Sequence, residues 1–79
     1  MPGLTDQQFN DLQQGDLVEY LAGTDEDTYI EAEAVVANVD DERRIVVISL
    51  INIKEQGSLV DHGKDDQIMA RPEELTLIN

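Results

Sequence analysis

The chain has 79 residues, no cysteine and a formal net charge of -13, with 18 acidic and 5 basic side chains. This length is about half that of a typical domain, which excludes two domains, so we expect residues 1–79 to fold as a single unit. The charge disfavours direct binding to nucleic acid or to an anionic membrane. The chain has no apolar run long enough to span a membrane, no signal-like start and no cysteine, which together favour a cytoplasmic protein.

The first predicted element is a short helix over residues 6–13. Thr5 is a good N-cap, and Gln8 three residues later completes a capping box. Leu4 and Phe9 stand at the positions of a hydrophobic staple, which would hold the start of the helix against the core. Gly15 is expected to end the element.

After Gly15 the apolar period changes to two, which indicates strands. We predict three longer strands, over residues 16–22, 29–39 and 44–53, and shorter ones over 67–71 and 76–78. Residues 58–60 read as one further brief strand. A single helical turn at 72–75 begins with proline, which is favoured at that position.

Several antiparallel strands joined by tight turns are typical of a small barrel or roll, here over residues 16–78. Two details resemble the SH3-like barrels: the Gly-Asp-Leu-Val entry to the first strand at 15–18, and the one-turn helix at 72–75 before the last strand. The resemblance implies a mainly β fold, a five-stranded and strongly bent antiparallel sheet. It implies no particular function.

Residue types give little support to an enzyme or a cofactor site. There is no cysteine, and His62 is the single histidine, so a histidine-based metal cluster is excluded. The acidic groups at 25–27 and 61–66 do not match a calcium-loop pattern and are better explained as solvated turns. We therefore expect a non-enzymatic protein with no cofactor and no metal.

The acidic loop between the first two strands is the predicted partner-binding site. It carries Asp25, Glu26 and Asp27, and Tyr20 and Tyr29 flank it. Tyrosines beside carboxylates would suit a basic protein partner, because rigid aromatic side chains are common interface anchors. The alternative is that both tyrosines cap the core with their hydroxyls in water.

The third strand is apolar on both faces. Val46, Ile48 and Leu50 share one face and would be exposed if only the other face were covered. A bend of the strand or the N-terminal helix could cover them internally. Otherwise a second chain covers them, and these three residues are then the predicted self-association surface of a homo-oligomer.

The acidity allows three interpretations: solubility in high salt, as in halophiles; mimicry of DNA, with carboxylates in place of phosphates; or no specific role. The function we predict is an acidic interaction module, an accessory or regulatory protein of the phage or mobile-element type that docks on a basic, nucleic-acid-binding protein. The alternatives are a structural or assembly subunit that self-associates through strand 44–53, or a halophilic housekeeping domain.

Overall fold

The computed structural model describes residues 3–78, so residues 1, 2 and 79 of the predicted domain lie outside the described part of the chain. It is mainly β. The elements, in chain order, are α1 Asp6–Asp11, β1 Leu17–Ala22, β2 Ile30–Asp40, β3 Ile45–Gln56, β4 Gln67–Ala70, a 3-10 turn Pro72–Glu74, and β5 Leu75–Leu77.

Five antiparallel strands form one sheet in the order β4-β3-β2-β1-β5. Within residues 3–78 the sheet is not closed: β4 and β5 are its two edges. β5 returns to pair with β1, with Val18 opposite Leu77 and Tyr20 opposite Leu75. The mainly β, five-stranded antiparallel architecture is thus confirmed, with the short helix at its start and the helical turn before its last strand.

The predicted capping box is present at the start of α1. The backbone N of Gln8 donates to Thr5 Oγ1 at 3.1 Å, and the backbone N of Thr5 donates to Gln8 Oε1 at 3.0 Å. Phe9 is buried in the core and Leu4 packs against it, as the hydrophobic staple requires. The helix ends at Asp11, two residues earlier than predicted, because Leu12 is already extended as the C-cap.

The core lies on one face of the sheet. It includes the alternate residues of β2 that the sequence pattern marks as buried, Ile30, Ala32, Ala34 and Val36. Phe9 and Leu12 of the N-terminal segment complete it. Successive side chains of a strand point to opposite faces of the sheet, so each of these buried residues of β2 is followed by a residue on the outer face.

The structure corrects the self-association surface predicted for β3. Val46, Ile48 and Leu50 have no exposed area in the folded chain, because they lie on the core side of β3, in one cluster with Phe9 and Leu75. They are core residues and are not available to a second copy. This internal burial is one of the two explanations that the sequence leaves open for a strand with two apolar faces.

β2 and β3 pair with three breaks in register. Each break shifts the alternation of side chains between the two faces of the sheet. One break follows Val36 and leaves Ala37 unpaired, as in a β-bulge. The other two leave Ile51 and Lys54 unpaired on β3. β3 also continues to Gln56, three residues beyond its predicted end, and residues 58–60 form a turn in place of the brief strand.

Replacement of Thr5 by alanine is expected to lower the free energy of unfolding by about 1 kcal/mol, because the helix loses its cap hydroxyl. Thr5→Ser keeps a hydroxyl at the same place and is the matched control. Urea denaturation followed by circular dichroism measures both. Equal midpoints for Thr5→Ala and the parent would show that the capping box adds nothing to stability.

Candidate functional site

The acidic loop between β1 and β2 is a structured turn. Asp25 Oδ1 accepts hydrogen bonds from the backbone N of Asp27 at 2.9 Å and from the backbone N of Thr28 at 3.0 Å. It also accepts from Thr28 Oγ1 at 3.2 Å. The two backbone donors are the main reason that the pKa of Asp25 is lowered. Asp25 therefore holds the loop, whereas Glu26 beside it is exposed to solvent.

The segment after β3 fixes this loop from the other side. The backbone N of Gly57 donates to the Tyr29 carbonyl at 2.7 Å, and that of Leu59 donates to the Asp27 carbonyl at 2.9 Å. Ser58 Oγ donates to Asp27 Oδ1 at 2.9 Å. Two of the three predicted partner-binding acids, Asp25 and Asp27, thus carry structural hydrogen bonds.

The two tyrosines predicted to flank the loop lie on opposite faces of the sheet. Tyr20 pairs with Ala32 on the inner face and is only 8% exposed. Burial, and then the negative charge of Glu74, raise its pKa. Tyr29 lies on the outer face, where its hydroxyl donates to Glu31 Oε1 at 2.7 Å. Tyr20 is therefore a core residue, and of the two tyrosines only Tyr29 lies at the outer surface.

A surface concavity of about 570 Å³ lies between the acidic loop and the end of β3. Its lining residues are Gly23, Thr24, Asp25, Glu26, Tyr29 and Glu55. A site lined by an aromatic ring and carboxylates favours the binding of a cationic side chain. The structure thus brings Asp25, Glu26 and Tyr29 of the predicted site together and adds Glu55.

The outer face of the sheet carries acidic residues that sequence reasoning did not select. Glu19 on β1 lies directly opposite Glu33 on β2, and Glu31 on β2 lies directly opposite Glu55 on β3. Like charges directly opposite one another destabilise a sheet. We call these four residues the acidic face. Part of this arrangement could be predicted from the sequence, because a hairpin between the first two strands brings their outward-facing polar residues together.

Lys54 is the single basic residue in β1, β2 and β3. Because it is one of the unpaired residues of β3, its side chain can cross β2, and Nζ lies 3.2 Å from Glu19 Oε2. This bond is the main reason that its pKa is raised, and the charges of Glu33 and Glu31 act in the same direction. One cation thus offsets only part of the charge of the acidic face.

The second acidic segment, at 61–66, gives no sign of a metal centre. His62 Nδ1 lies 3.7 Å from Asp66 Oδ2 on the surface, and Asp66 also accepts from the backbone N of Gly63 at 2.8 Å. Over residues 3–78 there is no group of three or more histidine, aspartate or glutamate residues arranged to hold a metal ion.

Scans against protein-family models, curated proteins and solved structures gave no match. In the part of the chain that the structure describes, no helix has the length and apolarity that crossing a bilayer requires.

Replacement of Gly57 by alanine is expected to destabilise the protein. A Cβ atom there would overlap the Glu26 carbonyl oxygen and the Asp27 carbonyl group, so the two loops would have to separate. Gly63→Ala is the matched control, because a Cβ at Gly63 meets no atom within 4 Å. We expect Gly57→Ala to lower the melting temperature by several degrees and Gly63→Ala to change it little. Equal melting temperatures would show that the contact between the loops is not needed.

The Tyr29–Glu31 bond should be visible in a titration of the phenol. The hydrogen bond to Glu31, followed by desolvation and neighbouring carboxylates, raises the pKa of Tyr29 to about 12. Because the folded pKa lies above the unfolded value, this bond stabilises the fold fully below about pH 10, and its contribution disappears as the pH rises through the folded pKa.

Ultraviolet absorbance of the phenolate measures the pKa of Tyr29 directly. Glu31→Gln should move the Tyr29 titration toward its usual range, whereas Glu42→Gln in the β2–β3 turn should leave it in place. Tyr29→Phe identifies which of the two phenol transitions belongs to Tyr29. An unchanged profile in Glu31→Gln would contradict the assigned cause.

Proposed function

We propose that this protein is a non-enzymatic, acidic interaction module that binds a basic protein through its outer sheet face and the adjoining concavity. The observation that carries the proposal is the pairing of like charges on the acidic face, Glu19 opposite Glu33 and Glu31 opposite Glu55. This arrangement is unfavourable in the isolated chain, and bound cations would relieve it.

The partner we propose is a nucleic-acid-binding protein, because such proteins carry dense lysine and arginine surfaces for phosphate. A net charge of -13 would steer a partner of that kind toward this chain. In the most concrete form of the proposal, the carboxylates occupy the partner's phosphate-binding groove, and the protein acts as an accessory or regulator in the cytoplasm. The absence of cysteine is in keeping with that compartment.

We infer that the fold is an open variant of the SH3-like barrel. The strand order, the return of β5 to β1 and the 3-10 turn just before β5 support this inference. Loops at the ends of a rigid sheet are where small β domains commonly place recognition residues. In this chain the Tyr29 side of the acidic loop would supply that contact, next to Glu55.

Chemistry other than binding has little support in the same residues. Tyr29 has a pKa of about 12, so its phenol is not suited to proton transfer near neutral pH. Lys54, whose pKa is raised by Glu19, is held in its charged form. Charged and hydrogen-bonded groups of this kind are suited to recognition by ion pairs.

A capture experiment with matched baits tests the proposed function. One bait neutralises the acidic face by Glu19→Gln, Glu31→Gln, Glu33→Gln and Glu55→Gln. The control bait removes the same charge elsewhere by Asp41→Asn, Glu42→Gln, Asp61→Asn and Glu73→Gln. Extracts of the source cells are applied at low salt, and proteins retained by the parent are identified and titrated in purified form.

We expect the parent and the control bait to retain a basic nucleic-acid-binding protein that the acidic-face variant does not retain. Its affinity should fall steeply as salt rises, because screening acts on exposed charges. Equal retention by both variants would reject the acidic face as the binding surface. If the parent retains no basic protein and tolerates high salt well, the acidity serves solubility and the proposed function is wrong.

A further inference from the structure

The outer face of the sheet has an apolar half that adjoins the acidic face. The register places Leu17 opposite Val35, and Val35 opposite Ser49, across three strands. Met69 on β4 lies opposite Val47 on β3 in the neighbouring row. Because side chains of paired positions point to the same side of a sheet, these residues share the outer surface.

The two halves are continuous along the strands. Leu17 lies two residues before Glu19 on β1, and Val35 lies two residues after Glu33 on β2. Two residues along a strand cover about 7 Å and return to the same face. The outer surface therefore changes from apolar to acidic within one side-chain spacing on both strands. We call the whole surface, made of Leu17, Val35, Val47 and Met69 with Glu19, Glu31, Glu33 and Glu55, the amphipathic face.

The apolar half is accessible to solvent. Met69 is 73% exposed and Leu17 is 43% exposed, although both stand within regular strands. Val35 and Val47 between them are half-buried. Exposed aliphatic side chains next to a strongly charged surface are typical of binding sites, where apolar contacts supply affinity and charges supply orientation.

We infer that the amphipathic face binds a basic amphipathic segment of the partner, with apolar side chains over Leu17 and Met69 and lysine or arginine side chains over the glutamates. This inference rests on the proposed function and specifies the chemistry of the partner. An extended segment places alternate side chains about 7 Å apart, which matches the step from Leu17 to Glu19 along β1. Two such steps cover about 14 Å, which matches the three strand spacings between Leu17 on β1 and Met69 on β4. Apolar and basic residues at alternate positions would therefore fit both halves together.

Charge decides between this occupant and a second copy of the chain. A second copy brings another net charge of -13, and the acidic face has only Lys54 to offset it. Contact between two such faces would add repulsion to the unfavourable Glu19–Glu33 and Glu31–Glu55 pairs. A cationic segment instead offsets the charge of both pairs.

Two synthetic peptides test the inference. In the first peptide every second residue is serine, and the positions between the serines carry leucines in the first half and lysines in the second half. In the second peptide serines replace the leucines, so the two peptides have the same charge. Each is titrated into the full chain at low salt while backbone amide shifts are followed by NMR. We expect the leucine-containing peptide to bind about fivefold more tightly and to shift residues of β1, β2 and β3 on the amphipathic face.

Matched variants locate the binding. Glu19→Gln with Glu33→Gln removes one facing acidic pair, and Asp41→Asn with Glu42→Gln removes the same charge at the β2–β3 turn. Leu17→Ser with Met69→Ser removes apolar surface, and Leu59→Ser removes an exposed leucine elsewhere, 75% exposed in the loop after β3. We expect each face pair to weaken binding of the first peptide about fivefold, and each control to change it less than about twofold.

Each other outcome rejects the inference in a recognisable way. If the two peptides bind equally, the face recognises charge alone, and the proposed function stands without the apolar half. If sedimentation shows a dimer that Leu17→Ser with Met69→Ser dissociates, the occupant is a second copy. If neither peptide binds at low salt, this inference fails, and the proposed function fails with it if the capture experiment also retains no basic protein.

Discussion

Burial of one face of β2 and β3 is the constraint on which the rest of this structure depends. The chain has no disulfide, so the packing of aliphatic side chains in a very small core must stabilise the fold. Ala32 and Ala34 on β2 and Val46 and Ile48 on β3 are fully buried there. Since alternate positions face outward, the same strands must display their charged residues on the other side.

The acidic face is thus a consequence of how the core is built as well as a surface in its own right. Glu31 and Glu33 occupy the outward positions between buried residues of β2, and the strand pairing sets Glu55 and Glu19 opposite them. The presence of four carboxylates in facing pairs, next to Tyr29 and exposed aliphatics, is the basis for our proposal that this side serves recognition.

The sequence predicts structure well where a local pattern determines it, and less well where the pairing between strands determines which face a residue occupies. Thr5 and Gln8 predict the start of the helix, and the alternation of apolar and acidic residues in β2 predicts which face of the strand is buried. Ile51 and Lys54 are unpaired because of the register between β3 and its neighbour β2, so the pattern of β3 alone cannot reveal that Ile53 turns toward the core. The burial of Tyr20 likewise depends on strand pairing, because its partner Leu75 on β5 is brought there only by the fold.

The unclosed sheet has a consequence for behaviour in concentrated solution. Each open edge offers backbone donors and acceptors that could template further strands and lead to fibres. Both edges are short here: β4 has four residues and β5 has three. Arg71 and Pro72 follow β4 directly, and proline cannot donate to an incoming strand. The sheet can therefore remain unclosed without inviting edge-to-edge polymerisation, while the high charge of the chain keeps separate molecules apart.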